Sequence, residues 1–128
     1  MPRQKSSQQT PVELQILGIL WENGPQTARQ VFERLSELKD TAYSTTVKML
    51  SVMLEKKLVA RDDDAQPQIY RAARSRARTQ KGMLRDLVNR AYDGSVMSLV
   101  MQALSVHRAT PEELEEMRQI LNQTGDEE

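Results

Sequence analysis

A mainly α chain carrying one small β-hairpin is predicted by three observations. Apolar residues recur at helical spacing through most of residues 10–124, and Ser/Thr-x-x-Glu/Gln capping boxes open three of the periodic segments. Strand signals are confined to one stretch, "LVARDDDAQPQIYRA", where two short segments flank a polar turn. A chain of 128 residues suits a small domain with an appendage, here residues 10–76 followed by a helical segment over 77–128.

Residues 1–9 are polar after Met1 and Pro2, carry Arg3 and Lys5, and are expected to form a disordered arm. Order should begin at "TPVE", with Thr10 as N-cap, Pro11 at the first helical position and Glu13 completing a capping box. Leu14, Leu17 and Trp21 share one face of this first helix, widened by Val12, Ile16, Ile19 and Leu20, and "NGP" at 23–25 stops it. A second box, Thr27 to Gln30, opens a helix with the apolar face Ala28, Val31, Phe32 and Leu35, ending near 38–40. The third helix carries Val47, Leu50, Leu54 and Leu58 at helical spacing, with Met49 and Met53 beside them. The hairpin follows, with strands over 58–61 and 68–72 and Pro67 tolerable only near a strand end or edge. Three helices and then a hairpin is the winged helix-turn-helix order.

Beyond residue 74 the pattern is helical again. Leu84, Leu87, Val88, Ala91 and Tyr92 line one helix, "DGS" at 93–95 breaks it, and Val96, Leu99, Val100, Ala103 and Leu104 line the next. Thr110, Pro111 and Glu113 form a third capping box ahead of Leu114, Met117, Ile120 and Leu121. These faces exceed what three short helices can hide among themselves, and such helices need packing to be stable. A second copy of the chain is the simplest partner, so a homodimer held through residues 77–124 is expected. Its interface candidates are Leu84, Leu87, Val88, Val96, Leu99, Val100, Leu104, Leu114, Met117 and Leu121.

Charge is balanced at 18 basic and 18 acidic residues but unevenly placed. Residues 1–90 hold 16 Lys/Arg against 10 Asp/Glu, whereas residues 91–128 hold 2 against 8. A basic half can meet a polyanion while the acidic half stays clear of it. The absence of cysteine excludes disulfides and thiolate metal sites and makes a reducing cytoplasm the easiest compartment. No apolar run reaches the ~18 residues of a membrane span, and "MPRQKSSQQ" lacks a signal peptide's apolar middle, so no membrane insertion is expected.

Catalysis and metal binding find no constellation. His107 stands alone in a polar link, Asp62 to Asp64 lack the glycine and distal Glu of a Ca²⁺ loop, and the methionines fall near apolar faces where core filling is the default. No enzyme activity and no cofactor are expected.

The stretch "TAYSTTVKML" at 41–50 places five hydroxyl side chains and a lysine at the head of the third helix. Hydroxyls lower helix propensity, and one of Thr41, Ser44 or Thr45 is expected to serve as the cap. In a helix-turn-helix the same turns face base edges in the DNA major groove. Tyr43, Ser44, Thr45, Thr46 and Lys48 are therefore candidate contacts to double-stranded DNA, joined by Thr27 and Arg29 at the head of the second helix, Arg61 and Arg71 at the hairpin base, and Arg3 and Lys5 in the arm. Two rivals stand beside this reading: a winged helix used for protein contacts, which would want an apolar third helix, and a nonspecific DNA-coating protein, which should be far more basic.

"TPVELQILGILWENGPQTARQVFERLSE" and "AYSTTVKMLSVMLEKKLV" resemble the BlaI/MecI/CopY family of bacterial winged-helix repressors, and "DGSVMSLVMQAL" and "TPEELEEMRQIL" resemble its dimerisation segment. The resemblance implies a dimer on dyad operators that represses transcription, typically of β-lactamase, penicillin-binding-protein or copper-homeostasis genes. It places recognition-helix contacts on Ser44, Thr45 and Lys48, with Tyr43 at the helix start. The chain departs from the family at Lys57, where a glycine is usual, and at the acidic wing tip Asp62-Asp63-Asp64. In the β-lactam branch a membrane sensor triggers proteolysis of an Asn-Phe bond, and the matching position here is Gln102-Ala103, with a sensor-triggered protease as the implied partner. The copper branch ends in a cysteine-rich metal site that this chain lacks.

Overall fold

A computed structural model describes residues 8–126, so Arg3 and Lys5 lie outside the described residues. The order is α1 (Pro11–Asn23), β1 (Gln26–Thr27), α2 (Ala28–Leu38), α3 (Tyr43–Glu55), β2 (Val59–Asp62), β3 (Ile69–Ala72), α4 (Arg76–Ala91), α5 (Val96–Val106) and α6 (Pro111–Asp126). The described residues divide into two compact units between Met83 and Leu84, inside α4.

All three capping boxes form. The Glu13, Gln30 and Glu113 amides donate to the Thr10, Thr27 and Thr110 hydroxyls at 3.1–3.2 Å, and each threonine N–H donates back to the side chain three residues on. Gly24, at φ 77°, ends α1, a conformation glycine adopts without steric cost.

The hairpin belongs to a three-stranded antiparallel sheet ordered β1-β3-β2. Gln26 and Thr27 pair with Tyr70 and Ile69, an edge the sequence reading missed because two residues carry no periodicity. In the register of β2 with β3, Arg61 stands opposite Tyr70 and Ala60 opposite Arg71.

The core of the first unit is built from Ile16, Leu17, Ile19 and Leu20 of α1, Val31 and Leu35 of α2, Leu50 and Met53 of α3, Val59 and Tyr70. The buried stripe of α3 is Thr46, Leu50 and Met53, while Val47 and Leu54 are half-buried. This stripe is turned one position from the Val47-Leu50-Leu54 face expected from apolarity alone, because threonine can enter a core once its hydroxyl is satisfied.

Two further features fix α3 at its C-terminal end. Lys57 adopts φ 65° and closes a Schellman turn, its N–H bonding Leu54 O at 3.1 Å while the Leu58 N–H reaches Met53 O at 2.9 Å. Lys56 Nζ donates to both carboxylate oxygens of Glu13 at 3.0 Å, tying the end of α3 to the start of α1. Glu13 is 2% exposed. Trp21, on α1, donates its indole N–H to Arg74 O at 2.9 Å, and Arg76 lies over the same ring at 5.4 Å.

In the second unit α5 is capped by Ser95, whose hydroxyl accepts the Ser98 N–H at 3.1 Å. Its apolar side chains are largely uncovered. Leu84, Leu87, Val96, Val100, Leu104, Leu114, Met117 and Leu121 are all exposed, Leu99 is half-buried, and Val88 alone of the expected interface set is buried within the chain. Among the described residues no helix is long and apolar enough to cross a membrane.

Candidate nucleic-acid interface

The head of α3 is organised differently from the capping expectation. Its N-cap is Ala42, with no side-chain capping bond. Thr41 precedes the cap, and Ser44 and Thr45 lie inside the first turn. Both are exposed, and neither hydroxyl has a partner among the described residues. Local helix chemistry therefore leaves these hydroxyls unspent.

Thr46 is the correction within this group. Counted among the DNA-facing hydroxyls by the sequence reading, it is 0% exposed and donates its hydroxyl to Ala42 O at 3.2 Å. The four-residue step from Thr46 to Leu50 keeps both on the inward face. Lys48 lies on the outward face with Ser44, one helical turn on, and has no ion-pair partner among the described residues.

Tyr43 and Arg29 are held together across two helices. The Arg29 guanidinium lies 4.6 Å from the Tyr43 ring centroid and 5.9 Å from that of Phe32, and the two rings meet edge to face at 5.8 Å. This stack fixes the head of α2 against the head of α3 and keeps a cation beside the exposed hydroxyls. The Arg29-Phe32 spacing of one helical turn carried half the signal; Tyr43 completes it only in the folded unit. Thr27 is half-buried, and its hydroxyl already accepts the Gln30 N–H.

The wing separates two arginines that the sequence reading grouped. Side chains alternate along a strand, so with Arg61 opposite Tyr70 and Ala60 opposite Arg71, Arg61 shares the face of Val59 and Tyr70 while Arg71 shares that of Ala60. Arg71 is exposed and unpaired among the described residues. Arg61 sits 6.0 Å from the Tyr70 ring and pairs through Nε with Asp63 Oδ1. The Tyr70 hydroxyl first, and the Asp63 carboxylate second, hold this guanidinium above its ordinary pKa.

Gln102 and Ala103 are exposed but occupy the middle of α5, where the backbone is helical. No group of acidic and histidine side chains suited to hold a metal ion occurs among the described residues.

A model of the family described as penicillinase repressor matches residues 9–123. The transcriptional regulator BlaI of Mycobacterium tuberculosis (strain ATCC 25618 / H37Rv) is 31% identical over 114 residues, covering 86% of this chain and 80% of that protein. The methicillin resistance regulatory protein MecI of Staphylococcus aureus (strain N315) is 22% identical over 118 residues, covering 92% of this chain and 96% of that protein.

Proposed function

This chain belongs to the penicillinase repressor family, and from that premise we propose that it represses transcription as a homodimer bound to dyad operators in double-stranded DNA. It is a repressor of the BlaI and MecI type, and the finer reading concerns how it binds. The observation that carries it is the two-sided head of α3: Ser44, Thr45 and Lys48 face solvent with unspent donors and acceptors, while Thr46, Leu50 and Met53 anchor the opposite face.

In this reading Ser44 and Thr45 meet base edges or phosphates, and Lys48 meets a phosphate or guanine edge. Tyr43, held by Arg29, reaches the backbone through its hydroxyl, and Arg71 adds a phosphate contact from the outer face of the wing. A protein-interaction role would favour an apolar α3 surface, and a coating role a net positive chain; the polar helix head and the balanced charge of 18 against 18 favour neither.

The second unit supports dimerisation. Full burial of a Leu, Val or Met side chain contributes about 1.5–3 kcal/mol, and eight of the ten expected interface residues stand exposed in the single chain. A two-fold pairing would cover them and join two α3 heads in one particle. Repression of β-lactam-resistance or related genes, and release by a protease acting at Gln102-Ala103, extend this proposal. Such a protease would have to unwind the middle of α5 to obtain an extended substrate.

Selecting bound fragments from a genomic DNA pool at moderate salt tests it. Paired half-sites about one helical turn apart, ~34 Å, are expected. A pool without a motif would refute sequence-specific repression. Thr45→Ala and Lys48→Ala should each weaken the selected site, by about 1–3 kcal/mol where a base edge is lost, with the dimer intact.

A further inference from the structure

An acidic wing tip is unfavourable beside a polyanion, because duplex affinity grows with the phosphates a protein neutralises. The three aspartates have separate roles. Asp62 Oδ1 accepts the Asp64 N–H at 3.0 Å and shapes the turn. The Asp64 carboxylate has no partner among the described residues. Asp63 Oδ1 receives Arg61 Nε, and it also accepts from Gln68 Nε2 at 3.3 Å across the hairpin. Arg61 is aligned for this contact by Tyr70, its cross-strand partner.

We propose that Asp63 is an internal substitute for a DNA phosphate: it occupies Arg61 in the free protein, and a duplex engages the wing by displacing it. This rests on the DNA-binding reading above. The Arg61 and Asp63 side chains are 28% and 63% exposed, so solvent reaches the pair mainly from the aspartate side, which weakens it and leaves it open to exchange. Exchange replaces one ion pair by another, so the wing adds little on an arbitrary duplex. It adds more where α3 contacts hold a phosphate in register with Arg61. Asp63 is thus a specificity-determining residue that suppresses nonspecific binding, the role of a repulsive element set against the wrong partner.

The test measures binding of the full chain to a labelled mixed-sequence duplex across a salt series, for wild type, Asp63→Asn, Asp62→Asn, Asp64→Asn, Arg61→Ala and the Arg61→Ala/Asp63→Asn pair. All these side chains are surface groups, and thermal melts confirm folding. Asp63→Asn is expected to tighten binding several-fold and steepen the log–log salt slope by about 0.9, the signature of one more neutralised phosphate. Asp62→Asn and Asp64→Asn make the same charge change without touching Arg61 and should give smaller gains. In the Arg61→Ala background the Asp63→Asn gain should shrink to the small one that Asp62→Asn and Asp64→Asn give. Equal gains from all three asparagine variants, an undiminished Asp63→Asn gain in the Arg61→Ala background, or no gain from Asp63→Asn while wild type binds would each overturn the proposal alone. Failure of wild type and Asp63→Asn alike to bind at low salt would overturn the DNA-binding reading with it.

Discussion

Lys56→Met is expected to cost about 3–5 kcal/mol of folding stability, far more than a typical ion-pair deletion. The magnitude follows from enclosure. Glu13 is 2% exposed and Lys56 10%, with Nζ at 3.0 Å from the carboxylate, whose Oε1 also accepts the Thr10 N–H at 2.8 Å. Removing the ammonium leaves a carboxylate enclosed by the fold with one backbone donor, the Thr10 N–H, in place of its cation. Arg118 with Glu115 provides the contrast: at 3.8 Å, with side chains 74% and 58% exposed, that pair falls among surface pairs contributing about 0–1 kcal/mol. Urea unfolding followed by the fluorescence of Trp21, the single tryptophan, reports on the unit that contains the buried pair. Glu13→Gln/Lys56→Met should recover most of the loss, because glutamine at this position still completes the capping box without a charge to bury. The cycle should give a coupling energy of about 2–3 kcal/mol. A Lys56→Met cost below about 1 kcal/mol, or a double variant no more stable than the single one, would refute the argument from enclosure.

The remaining expectations separate reading from scaffolding. Thr46→Ala should lower stability by about 1 kcal/mol through the lost hydroxyl bond and the space left behind, while the DNA footprint stays unchanged; an altered footprint would return Thr46 to the reading surface. Lys57→Gly should stabilise by about 0.5–1 kcal/mol, since a left-handed conformation costs a side-chain-bearing residue about 1–2 kcal/mol and glycine's greater unfolded freedom offsets part of the relief; a fall in melting temperature would contradict that. Leu99→Asp/Leu121→Asp should yield monomers in light scattering with weakened operator affinity, because a lone half-site loses linked binding. A persistent dimer would place the interface elsewhere.

What the sequence disclosed about this fold depended on distance along the chain. The three capping boxes were legible because each is a contact between residues three apart, with its geometry implied by composition. The Glu13–Lys56 pair was not, since 43 residues separate its members and nothing local to either marks the other. The short strand β1 was hidden for the same reason: Gln26 and Thr27 become a strand only when Tyr70 and Ile69 arrive beside them.

At the candidate site the limit was one of facing rather than identity. Ser44, Thr45 and Thr46 are chemically alike in a sequence, but successive helical positions differ by about 100°, and that rotation sends Thr46 into the core while its neighbours face solvent. Its methyl suits burial and its hydroxyl finds the Ala42 carbonyl, so polarity alone could not sort the three. Arg61 and Arg71 pose the strand version of the problem. Alternation orders each strand internally, yet whether two residues on different strands share a face depends on the register, which the turn sets. That register puts Arg61 within reach of Asp63 and leaves Arg71 clear on the other face. One wing thus carries a masked arginine and an open one, so charge counting along the hairpin would misjudge its contribution to DNA binding, and the Asp63→Asn and Arg61→Ala variants measure that difference directly.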